Sequence, residues 1–230
     1  MHLTFFDLDH TLLADDSDYL WGRFLVDEQI VDATAYAREN ERFHAQYRAG
    51  NLDIHAYQRF ALAPLLTQPI ERMLALRERF VAERIRPIVA RHTPALLAAH
   101  RARGDALAII TATNRFITEP IAALLGIDTL IATDPEIVDG VYTGEISGTP
   151  SFQAGKIERA RAWVAEQACV FDQITFYSDS HNDLPLLRWA DSAVAVDPDP
   201  RLTQAAAQAG WPVISLRGEQ PPPMPGDVAG

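Results

Sequence analysis

The chain has a single cysteine, Cys169, in 230 residues. That excludes an intramolecular disulfide and makes a reducing, cytoplasmic compartment the expected location. No apolar run approaches the length of a membrane span, so no membrane partner is expected. Met1-His2-Leu3 runs straight into the first apolar segment without a basic stretch and h-region ahead of it, so no signal peptide is expected either. Bases are the minority: 20 Lys and Arg stand against 31 Asp and Glu, a formal net charge of −11. This argues against nucleic acid or an anionic lipid surface as partner. The seven histidines show no zinc-ligand spacing, and the chain contains no internal repeat. Hydrophobic residues at 48% and charged residues at 22% are ordinary for a globular protein long enough to bury a sizeable core in one or two domains.

What is present is a pair of apolar runs that end in acids. Leu3-Thr4-Phe5-Phe6 stops at Asp7-Leu8-Asp9-His10-Thr11. The run reads as a buried strand delivering carboxylates into a crevice at its C-terminal end. Side chains alternate faces on extended backbone, so the chain must turn just after the strand if Asp7 and Asp9 serve one site. Such a pair suits a carboxylate nucleophile beside an acid/base, although an acidic loop capping the next helix reads the same in isolation. Ile174-Thr175-Phe176-Tyr177 likewise stops at Ser178-Asp179-Ser180-His181-Asn182-Asp183. Asp179 and Asp183, four apart, lie near one another if the segment turns helical. Between these ends, Ala108-Ile109-Ile110-Thr111 stops on a hydroxyl, and Gly155-Lys156 opens an amphipathic helix with Ile157, Ala160 and Val164 on one side.

Residues 15 to about 90 read as wholly helical. Trp21, Phe24, Leu25 and Glu28, then Tyr36, Phe43 and Tyr47, then Tyr57, Phe60, Ala61 and Leu65 recur at helical spacing. Gly50-Asn51 ends the second pattern and Pro64 the third; Pro69 opens a fourth that ends near Arg86-Pro87. From residue 94 the pattern alternates. Helices are predicted over 94–103, 116–125, 154–168 and 182–189, and strands over 106–111, 128–133, 173–177 and 192–196. That alternation implies a parallel sheet with helices on both faces. Asp139-Gly140, within 136–148, is a hairpin signal. Residues 219–230, with Pro221-Pro222-Pro223, read as a loose tail.

As an ordered set, the DxDxT at Asp7, Asp9 and Thr11, the strand-end Thr111, the helix-borne Lys156 and the DxxxD at Asp179 and Asp183 resemble the haloacid dehalogenase-like hydrolases, specifically their phosphoserine-phosphatase-like subgroup. The likeness runs from Asp7 to about Asp199. One departure, Ser178 where a Gly often precedes the fourth motif, is expected to matter little. The resemblance implies an α/β fold: a doubly wound parallel-sheet Rossmann-like core, residues 1–14 and 91–218, with a helical cap, residues 15–90, inserted after the first strand. It implies Mg²⁺ as cofactor and a small-molecule phosphate monoester as partner; it sets no oligomeric state.

The chemistry follows from residue types. A carboxylate attacking a phosphate dianion meets like-charge repulsion, which a hard cation with oxygen ligands removes. Asp7 and Asp179 can each give such a cation one oxygen. The resemblance adds the main-chain carbonyl of Asp9, and Asp183 completes the expected metal site by orienting a metal-bound water or Lys156. Lys156 is a point charge for the nucleophile and the transferring phosphoryl group. Thr111 offers phosphate a hydroxyl and an N–H, and Thr11 is expected on the substrate. Asp9 sets the reaction class, since one carboxyl within reach can protonate the leaving alkoxide and then activate water. Dehalogenating relatives lack it and ion pumps carry Thr, so the resemblance implies a phosphatase. A phosphomutase or phosphotransferase would also keep it; a non-catalytic phosphoester-binding module would not need all four motifs.

Caps of this kind choose the leaving group. Asp15, Asp16 and Asp18 crowd together just past the first motif, either as helix N-caps or as acids facing a cationic group. In phosphoserine phosphatases an acid at about the position of Asp16 binds the substrate amine, and Arg59 is similar to the cap arginine that holds the carboxylate. The expected substrate is therefore an amino-alcohol phosphate, phosphoserine or histidinol phosphate, contacted by Asp16, Asp18, Arg59 and Asn114. Asn114 has helix capping as its alternative, Trp21 and Tyr57 have core packing, and His10 and His181 occupy variable motif positions.

Overall fold

The computed structural model describes residues 1–223; the predicted tail lies in part, residues 224–230, outside them. Strands β1 (His2–Phe6), β2 (Ala106–Asn114), β3 (Thr129–Val138), β4 (Val141–Ser147), β5 (Gln173–Ser178), β6 (Ser192–Val196) and β7 (Val213–Ile214) form one sheet in the order β4-β3-β2-β1-β5-β6-β7. All neighbours are parallel except β3 and β4, which pair antiparallel as a hairpin turning at Asp139-Gly140.

β1 lies at the centre, which is why its sequence is apolar without alternation. Leu3 and Phe5 pack on one face with Ala108, Ile110 and Phe176. Phe6 packs on the other with Ile109 and Tyr177. Helices α7 (Ala154–Glu166), α8 (Leu184–Trp189) and α9 (Pro200–Ala209) cover the first face through Ala160, Leu186 and Leu202. Helices α5 (Thr93–Ala102) and α6 (Arg115–Leu125) cover the second through Leu96, Leu97, Ile117 and Ile121. The sheet is thus doubly wound, and the ends of β1, β2 and β5 open on one edge where the strand order departs from β1 in both directions.

Between β1 and α5 stand α1 (Ser17–Asp27), α2 (Ala33–Ala49), α3 (Ile54–Thr67) and α4 (Ile70–Phe80), the last running into a wide turn at Val81–Ile85 and a short 3-10 turn at Arg86–Ile88. The outgoing and returning segments pair with each other: Ala14 N–H donates to Ile88 O (2.7 Å) and Ala90 N–H to Leu12 O (3.0 Å). Trp21, Phe24 and Phe80 form an aromatic cluster that reaches Phe116 of α6, so the insertion shares one apolar core with the sheet. The third helix does not stop at Pro64. The proline removes one main-chain bond and crowds the preceding turn, and the buried Ala61, Leu62 and Leu65 hold the helix through to Thr67 against that cost. The hairpin strand β4 also receives α3 on its surface. Gly144, at φ +87°, admits Leu66 where a Cβ would stand 2.7 Å from its Cδ1.

Candidate active site

Asp7 is the last extended residue after β1, and its N–H donates to Tyr177 O of β5 (2.9 Å). The chain then coils tightly over Leu8–Leu12, with His10 in the left-handed region at φ 56°. This is the turn the first motif required. It brings Asp7, Asp9 and Thr11 to one side, facing the ends of β2 and β5.

The buried Lys156 joins the motifs. Its Nζ donates to Asp7 Oδ1 and to Asp183 Oδ2, each at 2.7 Å. Burial alone would lower its pKa; the Asp183 and Asp7 carboxylates outweigh that and raise it. Lys156 is also the only lysine in the chain, a signal that counting alone exposes. Its position depends on Gly155, where a Cβ would stand 2.2 Å from Pro150 O.

Thr11 and Ser178 prove to be internal struts. The Thr11 hydroxyl donates to Asp179 Oδ1 (3.1 Å), with Asp7 Oδ2 at 3.5 Å, and accepts from Asp179 N–H (3.0 Å). It ties the two motifs together and is engaged there, not free for substrate as expected. Ser178 was expected to be inconsequential, yet its hydroxyl donates to Asp183 Oδ2 (2.7 Å) and accepts from Ser180 N–H. With Lys156 on the same oxygen, Asp183 is held in place as a supporting acid.

Four carboxylates, the buried Asp7 and Asp183 and the half-buried Asp9 and Asp179, thus share one region with one ammonium. Burial, then the charges of Asp7 and Asp183, push Asp179 well above the usual carboxylate range. Burial raises Asp183 to about 6 despite Lys156. Among the described residues Lys156 pairs with Asp7 and Asp183 and no cation pairs with Asp9 or Asp179, so the cluster carries an excess of negative charge that a divalent cation would neutralise. Among the described residues no three His, Cys, Asp or Glu side chains converge on one metal-sized point. Asp7 and Asp179, with main chain beside them, offer hard oxygen atoms of the kind that suits Mg²⁺ and not zinc.

Asp9 accepts Ser17 N–H on Oδ1 (2.7 Å) and the Thr113 hydroxyl on Oδ2 (2.8 Å). Burial first, then the charges of Asp16 and Asp7, raise its pKa well above normal despite the Ser17 bonds. It is a carboxyl poised to carry a proton. Thr113, two residues past Thr111, is a partner that sequence reasoning missed. Thr111 accepts Thr113 N–H on its own hydroxyl (3.2 Å), leaving that hydroxyl's proton free.

A pocket of about 530 Å³ opens from Asp7, Asp9 and Thr111 to the insertion, where Asp16, Asp18, Tyr19, Phe43, His44 and Tyr57 line it. Asp16 caps a helix and also lines the pocket. Its Oδ1 caps α1, accepting Asp18 and Tyr19 N–H at 2.9 Å, while Oδ2 remains on the pocket side 3.8 Å from His44 Nδ1. Asp18 is buried, its Oδ1 has no partner, and burial with the Asp16 charge raises its pKa to about 7.

Two expected contacts, Arg59 and Asn114, lie elsewhere. Arg59 points away from the pocket and pairs at the surface with Glu145 of β4 (3.4 Å). Asn114 caps α6, its Oδ1 accepting Ile117 N–H (3.3 Å). Trp21 is core, only 2% exposed, whereas Tyr57 does line the pocket. The insertion is seated by the site's own loops: Asn182 Nδ2 donates to Tyr47 O (3.2 Å), Gln153 Nε2 to Gly50 O (3.2 Å), and Gln58 Nε2 to Ala112 O (3.4 Å). On the far side of Asp179 a wider cleft is lined by Arg48, Arg201 and Arg217 together with Asp197 and Asp199.

A stability consequence follows for the protein kept metal-free by chelator. Asp18 and Asp183 are raised on folding to about 7 and about 6. Between their unfolded and folded values the folded chain holds protons the unfolded chain has released, so stability falls as pH rises through that window. Melting in chelator should therefore show Tm dropping by several degrees from pH 5 to 7.5, at about 2–4 °C per kcal/mol for a chain of this size. Mg²⁺ should reduce the drop. A chelated protein whose Tm rises across that range would contradict this electrostatic picture.

The profile of the haloacid dehalogenase-like hydrolases matches residues 4–188. A histidinol-phosphatase of Neisseria meningitidis serogroup C is 41% identical over 220 residues, covering 94% of this chain and 99% of the relative. Phosphoserine phosphatase SerB1 of Mycobacterium tuberculosis is 31% identical over 216 residues, 93% of this chain and 70% of the relative. A Bordetella pertussis protein of unknown function, solved by crystallography, superposes with a TM-score of 0.87 at 41% identity, covering 94% and 98% of the two chains. A phosphoserine phosphatase caught as a phospho-aspartyl intermediate analogue shares the fold, with a TM-score of 0.68 at 18% identity over 93% and 92%. With its acids, lysine and strand-end threonine gathered as described, the chain belongs to the haloacid dehalogenase-like hydrolase family, and within it to the phosphatases.

Proposed function

We propose that this phosphatase is a Mg²⁺-dependent monoesterase that works through an aspartyl-phosphate on Asp7 and takes an amino-alcohol phosphate, histidinol phosphate before phosphoserine. Asp7, Asp179 and the main-chain carbonyl of Asp9 would hold the Mg²⁺, which supplies charge neutralisation as a carboxylate nears a phosphate dianion. Lys156 holds Asp7 in position and adds its own charge on the phosphoryl side. Asp9 gives its proton to the leaving alkoxide, then takes one from the water that attacks phosphorus. Thr111 turns its hydroxyl proton to a phosphate oxygen. In this reading residues 15–90 act as the cap that excludes water and selects the alcohol.

One observation carries the choice of alcohol. The pocket beside Asp7 and Asp9 is walled by Tyr19, Phe43 and Tyr57 and by Asp16 and Asp18, and no arginine lines it. Arg59, which would hold a substrate carboxylate, is engaged with Glu145 at the surface. An ammonium and an aromatic ring suit such walls; a carboxylate does not. The similarity to the Neisseria histidinol-phosphatase supports the same choice.

The test is kcat/KM for histidinol phosphate, phosphoserine, phosphoethanolamine, glycerol phosphate and a sugar phosphate. Histidinol phosphate should lead. The ammonium should contribute about 1.5–3 kcal/mol over an uncharged alcohol, the range for a hydrogen bond to a charged group, and Asp16→Asn or Asp18→Asn should narrow that margin. Uncharged alcohols in the lead, or phosphoserine ahead of histidinol phosphate, would overturn the assignment.

A further inference from the structure

His44 enters neither the catalytic set nor the helix caps, yet it stands in the pocket. It lies on α2, on the opposite wall from the nucleophile turn, with its ring edge-on to Tyr19 (4.7 Å between centroids, 65° between planes). Its Nδ1 is buried without a hydrogen-bond partner. The nearest candidate, Asp16 Oδ2, is 3.8 Å away, beyond hydrogen-bond reach. Asp18 Oδ1 is equally without a partner, on a residue only 6% exposed.

These atoms have one character. With the proton on Nε2, His44 Nδ1 is an acceptor. Asp18 Oδ1 is an acceptor, and Asp16 Oδ2 is the oxygen left over from helix capping. Buried acceptors without donors are costly in a folded protein and mark a place where a ligand supplies the donors. A primary ammonium brings three N–H groups and a positive charge. Tyr19, Phe43 and Tyr57 add ring faces and edges of the kind that favour a cation. A carboxylate or second phosphate entering here would meet two acids.

Resting on the amino-alcohol reading above, we infer that His44 is a specificity-determining residue, completing with Asp16 and Asp18 a three-acceptor seat for a primary ammonium on the leaving group. It takes no part in phosphoryl transfer, so its effect is confined to substrates that carry the ammonium.

The experiment compares histidinol phosphate with glycerol phosphate on wild type, His44→Phe and His44→Asn, each with Mg²⁺. His44→Phe keeps a ring against Tyr19 and removes the acceptor. It should lower kcat/KM for histidinol phosphate about ten- to a hundredfold, the worth of one hydrogen bond to a charged group, mainly through KM, and leave glycerol phosphate unchanged. His44→Asn returns a polar atom to the Nδ1 position and should recover most of the loss. An equal loss for both substrates, or no loss, would overturn the seat while leaving the amino-alcohol assignment in place. A wild type with no preference for the ammonium substrate would overturn both.

Discussion

Replacing Asp7 with Asn should abolish turnover while leaving the fold intact. Asn keeps the shape at the end of β1 and its main-chain bond to Tyr177 O, and Lys156 retains Asp183 as a partner. What is lost is the nucleophilic oxygen. Removing a nucleophile that acts as part of a unit costs on the order of 10⁴–10⁶-fold in kcat. Steady-state phosphate release, with far-UV circular dichroism and melting as controls, checks this. A folded Asp7→Asn protein within tenfold of wild type would end the covalent account.

The second large effect is expected at Asp9. Asp9→Asn removes the proton carrier but can still accept Ser17 N–H on Oδ1, with its Nδ2 donating to the Thr113 hydroxyl in place of the bond that Oδ2 accepted. The loss should be about 10²–10⁴-fold on alkyl phosphates, the ordinary worth of general acid–base catalysis. Aryl phosphates leave as stable phenolates, so their phosphorylation step should suffer far less. Rapid-quench measurement of phosphoenzyme formation separates the two substrates. Equal losses in that step would contradict a proton-donating role. The raised pKa of Asp9, set first by burial and then by Asp16, is what keeps the acid form available.

The candidate acids and Thr111 were legible because they stand where an apolar strand run stops, and a doubly wound sheet gathers such ends on one edge; Lys156 was legible at the start of an amphipathic helix. β2 and β5 flank β1 in space although each begins 100 or more residues after it in sequence, yet the alternation of strands and helices already implied one parallel sheet. What was not legible depends on which way a side chain turns. Helical spacing put Arg59 in the cap but could not tell that Glu145, on a distant hairpin, would take it to the surface. Trp21 and Tyr57 carry the same signal, yet one faces Phe24, Phe80 and Phe116 and the other faces the pocket. The tie from Thr11 to Asp179 and the role of Thr113 were not visible because their partners come from distant parts of the chain. Pro64 misled because the apolar contacts of Ala61, Leu62 and Leu65 outweigh the one main-chain bond a proline removes.

The central claim is a covalent phosphate on Asp7. Acid quench during turnover of histidinol phosphate, followed by borohydride reduction and peptide mass mapping, reads it directly, since an acyl phosphate is reduced to the alcohol and its Asp becomes homoserine. Homoserine should be found at position 7, with Asp9, Asp179 and Asp183 unmodified, and should be absent without Mg²⁺ or substrate. Steady phosphate release with no reducible acyl phosphate at position 7, or with the label on another acid, would contradict the account.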